Sequence, residues 1–133
     1  MTNDVQDLLE RVAASLHEGW REYNAARGRV FGPERTGKTH PHLVAWRELD
    51  TCSQNQDRFV AAVLLDQWSC GSLDGPGVPR AIHEAWRRWI LLQGRTHPHA
   101  EPYELAHPEG GEDHETQALQ VMPLLQLART SRT

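Results

Sequence analysis

Apolar residues near the start of the chain keep the three-to-four spacing of one helix face. Val5, Leu8, Leu9, Val12, Leu16 and Trp20 carry that stripe. Asn3 or Asp4 can cap this helix, and Gly28 can end it. A second stripe, Phe59, Val60, Val63 and Leu64, follows Ser53-x-x-Gln56, a capping-box pattern. Between the two, Arg29 to Thr39 reads as a loop and Leu43 to Leu49 as strand-like or irregular chain. The run Gly71-Ser72-Leu73-Asp74-Gly75-Pro76-Gly77 concentrates turn formers and predicts a connector over about 69–78. Pro79 suits the first turn of a third helix, whose Ile82, Trp86, Trp89 and Ile90 share a face and which should stop at Gly94. Residues 106–112 read as a loop, with a last helix from about Asp113. Pro123 inside that pattern predicts a kink or an early end, and the tail from Arg129 should fray.

The pattern repeats itself. Leu16-His17-Glu18-Gly19-Trp20 returns 66 positions later as Ile82-His83-Glu84-Ala85-Trp86, and Gly28-Arg29 returns at the same shift as Gly94-Arg95. Thr39-His40-Pro41-His42 returns unchanged as Thr96-His97-Pro98-His99, now 57 positions on, so the second copy has lost nine residues. Trp46 matches Tyr103, Leu49 matches Leu105 and Asp57 matches Asp113. Four anchors in one order predict two unequal copies of one unit. Repeat one spans about 5–68 and a degenerate repeat two about 79–128. The expected fold is mainly α, a single compact domain over 1–133, with two pseudo-symmetric helix–loop–helix repeats and short extended segments.

The first copy carries His17, Glu18, Trp20, Arg27, Gly28, Phe31, Gly32, Arg35, His40, Pro41, Leu43, Trp46 and Leu49 in order. This pattern resembles the ryanodine-receptor repeat domain over about residues 10–68, of the small stand-alone type found in prokaryotes and their phages. The second copy matches through Ile82–Trp86, the repeated THPH and Pro102–Leu105, but lacks the Arg35-containing loop. The resemblance implies a helical interaction or sensing module, without a channel pore, and a role in recognising nucleotide-derived signals.

Charge and cysteine content narrow the partners. A net charge of −4 argues against duplex nucleic acid, whose binders rely on Lys and Arg meeting phosphates. Two cysteines, Cys52 and Cys70, cannot build a disulfide framework. The acidic, amphipathic start is unlike a signal peptide, and no apolar run approaches the roughly 18 residues of a membrane span. The expectation is a cytoplasmic protein without a membrane partner.

Gly32-Pro33-Glu34-Arg35-Thr36-Gly37-Lys38-Thr39 satisfies the GxxxxGK[ST] phosphate-loop pattern letter for letter. Its context opposes that reading: Arg29-Val30-Phe31 is a poor strand, and Pro41 opposes a continuing helix. Simpler anion binding remains open, because Arg29, Arg35 and Lys38 lie within ten residues beside glycines that admit close approach. His40 and His42, or His97 and His99, could offer paired imidazoles, but no cysteine pair or HExxH completes a metal site. No cofactor, metal or catalytic group is expected. His17 and His83 stand one turn before Trp20 and Trp86, where a histidine commonly satisfies a buried backbone group. Trp20, Trp46, Trp86, Trp89 and Tyr103 are expected to build much of the core.

The leading expectation is a non-catalytic module binding a phosphate-containing, nucleotide-derived small molecule, such as an ADP-ribose-type or cyclic nucleotide signal, at the first repeat. Arg35 and Lys38, with Arg29, would hold phosphate. Trp20, Phe31 or Trp46 would stack, and His17 or His40 would hydrogen-bond ribose or base. The alternatives are a protein-interaction or homo-oligomerisation module and, last, a small nucleotide hydrolase.

Overall fold

Among the described residues the chain forms four helices: α1 (Asp4–Ala26), α2 (Thr51–Ser69), α3 (Val78–Leu92) and α4 (Pro108–Thr130). Two short strands, β1 (Val30–Phe31) and β2 (Thr39–His40), lie between α1 and α2. The computed structural model describes residues 4–95, 97, 100–103 and 108–130, with backbone alone for 108–112 and 129–130. The expected cap at Asn3, most of the second THPH, Leu105, residues 106–107 and the last three residues of the tail lie outside the described residues.

The helical stripes close on one aliphatic core. Val12 and Leu16 of α1, Val60 and Leu64 of α2, Ile82 of α3 and Val121 and Leu125 of α4 are buried together. Each such side chain contributes about 1.5–3 kcal/mol on leaving water. Helix α4 lies along α1, and α2 and α3 pack against the pair. The result is a mainly helical, single compact domain. No described helix is long and apolar enough to cross a membrane.

Several boundaries follow the local chemistry. Gly28 and Gly94 take φ of 78° and 66°, left-handed conformations that end α1 and α3 where expected. Pro79 stands in the first turn of α3. The cap of α2 is Asp50 rather than Ser53: its carboxylate accepts from the Ser53 amide at 3.0 Å, and the helix begins at Thr51. A carboxylate is as good a cap as a hydroxyl, and this one stands at the chain's entry to the helix. Leu43 to Leu49 forms no strand and carries a single 3-10 turn, Trp46–Glu48.

Helix α4 departs most from the pattern. It begins at Pro108, so residues 108–112 are helical rather than loop, and it runs through Pro123 to Thr130 rather than ending early. Pro123 removes one amide from the ladder, and the carbonyl it leaves unpaired belongs to Leu119. Both residues are exposed, so water can serve that carbonyl, while Val121, Leu124 and Leu125 hold the helix to the core.

The aromatic residues are also redistributed. Trp68, outside the expected stripe, is the buried tryptophan. Trp20, Trp46, Trp86, Trp89 and Tyr103 are only half-buried. The core is aliphatic, and the other aromatics stand around its margin.

Candidate functional site

A cavity of about 450 Å³ opens between the two copies. Helix α1 and the 29–42 loop form one side. Helix α3, Arg95, His97 and the early part of α4 form the other, with α2 contributing Asp57 and Val60. Of the expected ligand residues, His17, Trp20, Arg29, Arg35 and His40 line this cavity. Phe31, Lys38 and Trp46 do not. Phe31 is 59% exposed on β1, Lys38 is exposed at the loop tip, and Trp46 sits between the His17 ring and the Arg58 guanidinium. Asn24, Asp57, Trp86, Arg95, His97 and Asp113 line the cavity as well, although the sequence pattern does not mark them as ligand residues.

Contacts made in the first copy recur at matching positions in the second. His17 Nε2 donates to the Val44 carbonyl at 2.7 Å, and His83 Nε2 donates to the Glu101 carbonyl at 2.6 Å. These histidines satisfy backbone carbonyls, as their place before the tryptophans suggested. Each stands 5.8 Å from its tryptophan, Trp20 or Trp86. A second histidine meets each tryptophan edge-on at 5.0 Å, His40 against Trp20 and His97 against Trp86. Two walls of the cavity therefore present the same pair of rings.

The charges divide between mouth and floor. Arg29 donates to the Asn24 side chain at 2.9 Å, whereas Arg35 and Arg95 have no side-chain hydrogen bond or ion pair among the described residues. Burial, with Arg35 and His42 nearby, pushes His40 down to about 4, so it is neutral at physiological pH. Its Nδ1 accepts from the His42 amide at 3.0 Å, which leaves Nε2–H as the donor it offers. His42 is lowered too, by burial and by the cations Arg35 and Arg95, one from each copy, against the opposing pull of Asp50. Unpaired guanidinium groups thus converge where an anion would relieve them.

At the floor stand two carboxyls that want protons. Asp57 keeps a little solvent access through the cavity, but surrounding protein pushes its carboxyl up to about 8. Burial also raises Asp113, whose Oδ1 is buried without a hydrogen-bond partner. Beside it, His114 bridges His83 Nδ1 at 3.1 Å and the Gln117 oxygen at 2.8 Å. The Gln117 amide nitrogen in turn donates to the Leu16 carbonyl at 2.9 Å. This buried chain of hydrogen bonds locks α3, α4 and α1 beneath the cavity.

The glycine loop is built for shape rather than for a triphosphate. Val30 N donates to the Lys38 carbonyl at 2.9 Å and Gly32 N to the His40 carbonyl at 3.4 Å, pairing β1 and β2 in parallel. A Cβ at Gly32 would stand 2.7 Å from Thr39 Cβ, so only glycine fits there without displacement. The amides of Lys38 and Thr39 both donate to the Thr36 hydroxyl, and Thr39 Oγ1 donates to the Glu34 carbonyl. Those donors are consumed inside the loop, and strand β2 follows where a phosphate loop needs a helix. Among the described residues no three His, Cys, Asp or Glu side chains converge to hold a metal ion. No protein-family model matches the chain, and no curated protein matches it.

Proposed function

We propose that the chain is a ligand-binding module of the ryanodine-receptor repeat kind, and that its cavity takes a phosphate-containing, nucleotide-derived small molecule. The observation that carries this reading is the meeting, in one cavity, of tryptophan walls with Arg29, Arg35 and Arg95. Its volume of about 450 Å³ falls among small-ligand sites, which run to about 300–1,000 Å³. A base stacks on an aromatic ring for about 1–3 kcal/mol, and guanidinium pairs with phosphate through two parallel hydrogen bonds. The reading gives the residues binding roles and assigns no catalytic step.

The test is a thermal-shift panel of ADP-ribose, its cyclic forms, NAD, mononucleotides and cyclic dinucleotides. A ligand at about 100 times its Kd adds about 2.7 kcal/mol, which at this chain length raises the midpoint by several degrees. The expected result is a selective shift that Arg35→Ala cuts by about half or more, while the helical circular dichroism stays intact. A flat panel, or an undiminished shift in Arg35→Ala, contradicts the assignment.

A second reading, self-association, draws on Leu119 and Leu127 of α4, which are 77% and 49% exposed. Light scattering that shows a monomer at all concentrations would count against it.

A further inference from the structure

The second copy gives its equivalents to the same cavity rather than to a site of its own. Trp20 and Trp86 both line it, as do Arg29 and Arg95, and Asp57 and Asp113. These pairs stand 66, 66 and 56 positions apart, the spacings at which the two copies match in sequence. The settings of the two tryptophans match too. The edge-on histidine meets its tryptophan at 79° in the first copy and 84° in the second, at 5.0 Å in both. Rings held this way lose little freedom when a flat group stacks on them. A ligand with one base would use one such set and leave the other facing empty space.

We propose that the ligand has two halves, two nucleobases joined through phosphate, and that each copy holds one half with its Trp–Arg–Asp set. This rests on the nucleotide reading of the cavity and narrows it to dinucleotides. Arg35 belongs to the loop missing from the second copy, so it has no counterpart and suits the phosphate linkage between the two halves. A protonated carboxyl offers one donor and one acceptor, the complement of a base edge. Asp113 lines the cavity, and its Oδ1 is buried without a hydrogen-bond partner.

The experiment is calorimetric titration of the full chain with AMP, ADP-ribose, NAD and cyclic di-AMP. At least one two-base compound should bind one per chain, at least about tenfold tighter than AMP or ADP-ribose. The better of the two compounds tells whether the link is a linear pyrophosphate or a cyclic phosphodiester. Trp86→Ala should weaken that compound by roughly tenfold or more. Arg95→Ala, at an exposed position where folding is not at stake, should weaken it as well. If AMP or ADP-ribose binds as tightly as every two-base compound, or Arg95→Ala binds like the parent chain, the dinucleotide proposal fails. The nucleotide reading would then stand on Arg35 alone. If nothing in the set binds, both fall together.

Discussion

Gly19 of α1 and Gln117 of α4 touch so closely that a Cβ on the glycine would lie 2.8 Å from the Gln117 Cα. The Gln117 side chain then reaches back to the Leu16 carbonyl, so the two helices are joined by backbone contact and hydrogen bond at one level. Gly19→Ala gains about 1 kcal/mol in helix propensity, but must push the α4 backbone away. Overpacking of this kind costs about 1–3 kcal/mol, so the urea midpoint should fall. A rise would show that α4 yields without strain.

Asp57 makes stability depend on pH. Unfolded, it ionises near 3.8; folded, it keeps its proton to about 8. Across that window the folded chain holds the extra proton, so stability declines as pH rises and levels off beyond it. Asp57→Asn should raise the melting midpoint by several degrees at pH 8 and barely change it at pH 4. Equal shifts at the two pH values would contradict the burial of this carboxyl.

His40 acts in the opposite sense. Its folded value of about 4 lies below the ordinary 6.5, so the unfolded chain takes up the proton first. Stability is full above 6.5 and declines as pH falls towards 4. His40→Gln should therefore flatten the acid limb of a midpoint-against-pH curve and leave the limb above pH 7 in place. An unaltered acid limb would place the loss elsewhere.

The loop cations should separate cleanly. Arg35 lines the cavity, while Lys38 stands at the exposed loop tip, its own amide bonded to Thr36. Lys38→Ala is expected to change nucleotide affinity less than twofold, and Arg35→Ala to lower it at least about tenfold, as loss of a charge-assisted pair does. Comparable losses by titration would mean that the anion sits on the loop tip instead.

What could be read in advance follows from the range of the physics. Stripes such as Val12 and Leu16, and stops such as Gly28 and Gly94, are local, and those helices stand as predicted. The start of α4 was not legible, because Gly110-Gly111 carries no apolar period and a poor intrinsic preference for helix. Trp20, Arg29 and Arg35 could be chosen from the first copy alone. Asp57 and Asp113 were visible as matching positions, but an acid reveals nothing of its burial until its neighbours are known. Their recurrence at cavity-lining positions is the signal that could have found them. Trp86, Arg95 and His97 carry no such mark in the sequence, because the second copy lacks the basic glycine loop that singles out the first.

The most direct measurement is nitrogen–proton NMR of the five tryptophan indoles, assigned by substitution, while the nucleotide panel is added. Trp20 and Trp86 line the cavity, and Trp68 is buried away from it. Binding in the cavity predicts that a nucleotide moves the Trp20 and Trp86 indole signals and leaves Trp68 in place. Signals that stay still at millimolar nucleotide, or movement confined to tryptophans outside the cavity, would contradict the account.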